Sequence, residues 1–143
     1  MKIKIRPNDT IFSNYIRERD NWTCQRCGKQ YDKSSTSDRQ GLHCSHYWGR
    51  GHEGTRFDPD NCIALCYGCH RLWGHGDLRD DYKAYMETRL GKQGFKNLEI
   101  RARTPCKRDD KLIKIYLKQI TAKLNVSRPL YYNQYTKLRT AKA

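Results

Sequence analysis

The histidines of this chain all fall between His43 and His75, in the stretch HCSHYWGRGHEGTRFDPDNCIALCYGCHRLWGH, together with Asn61 and a Cys-x-x-Cys followed directly by His70. An imidazole with an ordinary pKa of about 6.5 can take a proton from water near neutral pH, or bind a metal through its lone pair. His46 is therefore a candidate proton acceptor, and the histidines around it are candidate metal ligands. Imidazole, thiol and amide groups are mixed here more densely than a core requires. The rest of the chain has to position this stretch.

Four of the seven cysteines form two Cys-x-x-Cys pairs, Cys24/Cys27 and Cys66/Cys69. Two such knuckles offer four soft thiolates, the set that closes a tetrahedral structural zinc site, and would tie the N-terminal knuckle to the segment carrying His70. The competing assignments are a disulfide or redox pair, or a site in which Cys44 or Cys62 replaces one of the four. Otherwise Cys44, Cys62 and Cys106 read as small buried hydrophobes.

Ile11, Phe12, Tyr15 and Ile16 predict an amphipathic helix over 9–20, with Asn8 or Asp9 as its cap. Gly28 closes the first knuckle with a positive φ, and residues 32–41 read as an exposed polar loop. Leu42 to Trp48 has strand character, after which Gly49, Gly51 and Gly54 make a mobile loop carrying Arg50, His52 and Arg56. From Pro59 to Gly74 the spacing predicts a helix with Asp58 or Asp60 as cap and Cys62, Cys66, Cys69 and Trp73 on one face. Further helices are expected over 77–90, ended by Gly91, over 94–103, and from Leu112 to Leu124. The tail beyond Asn125 is expected to hold no fixed structure alone.

A chain of 143 residues has room for one core of ordinary size. With 36% hydrophobic residues and a mean hydropathy of -1.02, burial alone leaves a thin margin that a metal staple would widen. The net charge of +14 is concentrated after residue 91, where 14 Lys/Arg face 3 Asp/Glu. Lys111, Lys114 and Lys118 line the polar face of the last predicted helix, in a region interleaved with tyrosines. That distribution suits a polyanion, with nucleic acid ahead of an acidic membrane surface. No apolar run is long enough to span a bilayer and none follows the basic N-terminus as a signal would, so a soluble, intracellular protein is expected.

The order His46, Asn61, His70, with two Cys-x-x-Cys pairs around it, resembles an HNH nuclease of the ββα-metal (His-Me finger) class. Within that class CSHYWGR, TRFDPDNCIALCYGCH and DYKAYMETRLG are similar to phage-encoded NinG-like recombination proteins and related phage HNH proteins, over about residues 9–104. The resemblance implies an α+β fold: a small ββα-metal core stapled by a four-cysteine zinc site, with flanking helices and a basic C-terminal helical region. Residues 1–104 would be the nuclease domain and 105–143 an extension of the same domain. It implies a metal-dependent DNA endonuclease in the cytoplasm of a phage-infected bacterium. His46 would be the general base, Asn61 would orient it and hold the loop, and His70 would bind a single catalytic divalent cation, Mg²⁺ or Mn²⁺.

The family commonly places Asp or His immediately before the base as a second cation ligand, and here that position is Ser45. A hydroxyl is a poor ligand, which leaves Ser45, His43, Asp58 and His75 as the open choices. Arg50 and Arg56 are expected to contact phosphate, with pairing to Asp58 and Asp60 as the alternative, and His52 is expected to face solvent. Two other functions fit the same residues: a structure-specific nuclease acting on junctions or flaps in phage recombination, and a non-catalytic zinc module that binds DNA. A double-strand cut by one such site needs a homodimer or two successive nicks.

Overall fold

A computed structural model describes the backbone of residues 2–34 and 40–140 and the side chains of 2–34 and 40–126. Residues 35–39, within the segment expected to be an exposed loop, and residues 141–143 lie outside the described residues. The chain divides into two units, Met1–Arg108 and Asp109–Ala143, a boundary four residues beyond the one expected from the sequence. The first unit is α+β. It runs α1 (Pro7–Arg19), β1 (Leu42–His46), β2 (Cys62–Cys66), α2 (Tyr67–His70) and α3 (Arg79–Arg103), and the strands form a two-stranded antiparallel sheet.

The helix expected from Pro59 to Gly74 is corrected by β2. Pro59–Asn61 is one 3₁₀ turn, capped by the Asp58 side chain on the Asp60 N–H, and Cys62–Cys66 is extended. Cys62, Ile63, Ala64 and Leu65 are all buried. A strand covered on both faces shows no alternation, so its cysteines pass for a helical stripe. The helix begins at Tyr67, where the Cys66 sulfur takes the N-cap position and accepts the Cys69 N–H at 3.4 Å. It then widens into a π turn over Arg71–His75.

Other boundaries differ for local reasons. α1 starts at Pro7, suited to a first turn by its fixed φ, and Asp9 accepts the Arg6 N–H at 2.7 Å from inside that turn. Gly91, at φ 73° and ψ 161°, divides α3 into two helical stretches, as its sequence position predicted. Cys106 is exposed, against the expectation that it packs inside. In the second unit α4 spans Asp110–Thr140, so the tail expected to lack structure is helical well beyond Asn125.

The sheet is covered on both faces. Phe12 of α1 meets the His46 ring at 6.1 Å, while Tyr82 of α3 bonds Ser45 Oγ at 3.0 Å and stacks on Trp73 at 5.0 Å. The free edge of β2 is satisfied by the end of α1. Arg19 donates to the carbonyls of Pro59 and Cys62, each at 2.7 Å, and Asp20 accepts the Ala64 N–H at 2.8 Å. The Gln25 N–H completes the edge on the Ala64 carbonyl. An edge closed in this way offers no template for pairing with another chain.

The connection between the strands is anchored from the N-terminus. Asp9, 2% exposed, forms a two-point ion pair with Arg56, Nε to Oδ1 at 3.0 Å and Nη2 to Oδ2 at 2.6 Å. Burial opposes ionisation of Asp9, but the Arg56 bond, the Arg6 N–H and the charges of Arg56 and Arg50 hold its carboxyl below the ordinary value. The pair's contribution is present above the unfolded carboxyl's pKa and is lost as pH falls through the lower folded one. Asp9→Asn, which strands a buried guanidinium, is expected to cost about 3–5 kcal/mol in urea unfolding near neutral pH. A loss below about 1 kcal/mol would show that water replaces the carboxylate there.

Candidate active site

The four knuckle sulfurs, from Cys24, Cys27, Cys66 and Cys69, lie within 4.8 Å of one another. Cys27 and Cys66 are 3.9 Å apart, against roughly 3.8 Å for two thiolates on one tetrahedral zinc with 2.3 Å bonds. Gly28, at φ 74°, turns the first knuckle so that its N–H reaches the Cys24 carbonyl at 2.9 Å. Burial alone would raise the Cys24 thiol, but the backbone N–H groups of Cys27, Cys66 and Arg26 draw it down to about 7. These four residues could hold a metal ion, as a structural zinc site requires, and would join the N-terminal knuckle to β2 and α2.

His46 closes β1. Its Nε2 lies 2.9 Å from the Arg56 carbonyl, so Nε2 carries the ring proton of the neutral imidazole and Nδ1 keeps the lone pair. Burial, followed by the Arg50 charge, pushes its pKa down to about 4 against weaker support from the Arg56 carbonyl and Asp9. The glycine-broken loop between the strands is packed rather than mobile. Asn61 is fully buried and its amide closes that loop, accepting the Trp48 N–H at 2.8 Å and donating to the carbonyls of Trp48 at 2.9 Å and Thr55 at 3.0 Å. Asn61 therefore positions the backbone that ends at Arg56, whose carbonyl orients His46. Gly54 is needed in the same loop, since a Cβ there would stand 2.6 Å from the Arg101 carbonyl.

On the other face of the sheet His43 and His70 bring their Nδ1 atoms to 3.3 Å. The π turn sets positions five apart on one side of the helix, which places His75 against His70 with ring centroids 5.6 Å apart. Gly74 makes room for this, because a Cβ there would lie 3.0 Å from the His70 ring. Burial, then the neighbouring His43 and His75, push His70 to about 4. Arg50 and His46 add smaller contributions in the same direction.

The remaining candidates separate by burial. Ser45 is 0% exposed and bonded to Tyr82, and Asp58 pairs with Arg101 at 2.7 Å, so both side chains are engaged by partners on α3. Arg56 is committed to Asp9 and to the carbonyls of Lys4 and Arg50, which corrects the expectation that it contacts phosphate. Arg50 is partly exposed, lies 3.6 Å from Asp9 and lines a groove of about 500 Å³ with Lys2, Lys4, Gly51 and Arg108. His52 is exposed, its Nδ1 near the Ala102 carbonyl at 3.1 Å. Lys111, Lys114 and Lys118 are exposed on α4. Sequence alone assigns Asp9 only a capping role, and neither its ion pair with Arg56 nor the bond of Tyr82 to Ser45 is legible there, since both join residues far apart in sequence.

Comparison with protein-family models, curated proteins and solved structures finds no match to this chain. Among the described residues no helix is long and apolar enough to cross a membrane.

Cys66→Ser removes both a knuckle thiolate and the sulfur cap of α2. It is expected to remove one equivalent of tightly bound zinc and lower the melting temperature, read by metal analysis and circular dichroism; unchanged zinc content would refute the four-cysteine assignment. His46 and His70 make a separate prediction. Both titrate lower in the folded state than in the unfolded, so the unfolded chain binds more protons between about pH 6.5 and 4 and stability falls as pH drops through that window. The slope is at most about 1.4 kcal/mol per pH unit for each histidine. Urea midpoints measured from neutral to mildly acidic pH should show this slope, and His46→Gln and His70→Gln should each flatten it.

Proposed function

We propose that this chain is an HNH-type, metal-dependent DNA endonuclease with a ββα-metal core stapled by zinc. The observation that carries this reading is the passage from His46 at the end of β1, through the Asn61-locked loop, to β2 and the helix bearing His70. Hydrolysis of a phosphodiester needs an activated water and stabilisation of charge on the phosphate and leaving oxygens. His46 carries no ring charge at neutral pH, and the Arg56 carbonyl holds its Nε2 proton, so Nδ1 is the atom that accepts the proton of water. Asn61 keeps that carbonyl in place and touches no substrate.

The His43 and His70 nitrogens support a cation site. The two Nδ1 atoms hydrogen-bond to each other at 3.3 Å, close to the roughly 3.3–3.4 Å between two imidazole nitrogens bound at 2.0–2.1 Å to one tetrahedral ion, so a cation could replace the shared proton. A divalent cation there would supply Lewis-acid polarisation of the phosphate and stabilise the leaving oxygen. Nitrogen ligands favour Mn²⁺ or another transition ion over Mg²⁺, which prefers oxygen. Arg50 and the basic groove beside it are suited to the DNA backbone, and the exposed lysines of α4 supply further phosphate contacts.

Ser45 stands where the family's second ligand usually precedes the base and is buried against Tyr82, and this favours one second reading, a zinc module that binds DNA without cutting it. Supercoiled plasmid incubated with Mg²⁺, Mn²⁺ or EDTA distinguishes the two, with nicked, flap and four-way junction DNA testing for structure specificity. Metal-dependent cleavage is expected. His46→Ala should lower it by about 10²–10⁴-fold, the usual share of a general base, with the zinc of the four-cysteine knuckles and DNA affinity retained. Cleavage undiminished in that variant would exclude His46 as the base, and binding without cleavage on every substrate would establish the module.

A further inference from the structure

Cys44 and Cys62 take no part in the zinc knuckles, yet the sheet brings both to His46. In the β1/β2 register His46 stands opposite Cys62, and Cys44, two residues earlier on β1, shares their face. One ring nitrogen of His46 and the two sulfurs all lie within 4.8 Å of one another. Cys62 lies four residues along β2 from Cys66, roughly 13 Å of extended chain, so this group is separate from the knuckles.

We propose that Cys44, His46 and Cys62 form a second metal site that takes a thiophilic ion such as Zn²⁺ and, when filled, withdraws His46 from proton transfer. The donor chemistry is two thiolates and an imidazole, a set that takes zinc, cadmium or cobalt and discriminates against Mg²⁺ and Ca²⁺. The outer shell is present as well. His46 Nε2–H donates to the Arg56 carbonyl, and Arg56 is itself held by Asp9, an arrangement that fixes the ring and leaves Nδ1 with the free lone pair. Cys44 and Cys62 are 6% and 0% exposed, so both sulfurs are shielded from bulk solvent. Binding releases two thiol protons, and the two thiolates then cancel the charge of a divalent ion, so no net cation is added beside Arg17, Arg19 and Arg50, which act on Cys44. Three protein ligands leave a fourth position for water.

Metal binding at this site stands by itself, whereas the consequence for proton transfer rests on the nuclease reading. The protein carrying one equivalent of zinc is titrated with Co²⁺. A second equivalent with sulfur-to-cobalt charge-transfer absorption is expected, a band that the nitrogen-only pair His43 and His70 cannot produce. Cys44→Ala, Cys62→Ala and His46→Gln should each weaken that equivalent by more than about 100-fold, since losses outside the ligand shell alone cost 10–100-fold, while the first equivalent stays. Cadmium NMR of the unmutated protein makes the test independent of how the variants fold. Two resonances are expected, one from four sulfurs and one upfield of it from two sulfurs and a nitrogen. A single resonance with no second thiolate-bound equivalent would overturn the site. If the second site binds but DNA cleavage is unaffected by filling it, the withdrawal of His46 is overturned and the metal site stands; a protein that cuts no DNA sinks the nuclease reading and leaves the metal result intact.

Discussion

A carboxylate that is 2% exposed has to be met by cations, and Asp9 meets Arg56 in a two-point pair with Arg50 at 3.6 Å. That one contact joins the start of α1 to the strand connection, 47 residues away in sequence. Because the Arg56 carbonyl faces His46 Nε2, the same contact sets which nitrogen of His46 holds the proton. In a chain so polar, a buried ion pair ties distant segments together where a larger core would otherwise do so. It does this by constraint more than by net energy, since desolvating both partners consumes much of their attraction.

Around that anchor the site is built from two supports with different chemistry. The Asp9, Arg56 and Asn61 network is entirely hydrogen-bonded and fixes His46 from the loop side. The four cysteines fix the other side, because Cys66 is at once a knuckle sulfur and the cap of the helix that carries His70. An ion held by these sulfurs would make metal binding and the start of that helix one event. Ser45 joins neither support and instead bonds Tyr82, tying the sheet to α3.

The histidines illustrate how one small sheet offers nitrogen to different partners. Strand alternation sends His43 toward His70 and the π turn, and sends His46 toward α1 and the thiols of Cys44 and Cys62. Burial keeps both His46 and His70 unprotonated near neutral pH, which leaves lone pairs available to a proton or a metal. Competition between those two uses of His46 would couple the activity of such a site to the supply of soft metal ions.

What the sequence alone determined was whatever a short-range chemical rule controls. The Cys-x-x-Cys spacing marked both knuckles, and Gly28 and Gly91 take the positive φ at which a chain turns or a helix breaks. Tertiary structure decided the rest, because it depends on which residues meet across the chain. Cys62–Cys66 became a strand when β1 supplied its partner and both faces were buried, conditions that erase the alternation by which a strand is recognised. Arg56 is held by Asp9, Ser45 by Tyr82 and Asp58 by Arg101, all partners far away in sequence, and the i, i+5 meeting of His70 and His75 arose from a π turn that no residue spacing announces.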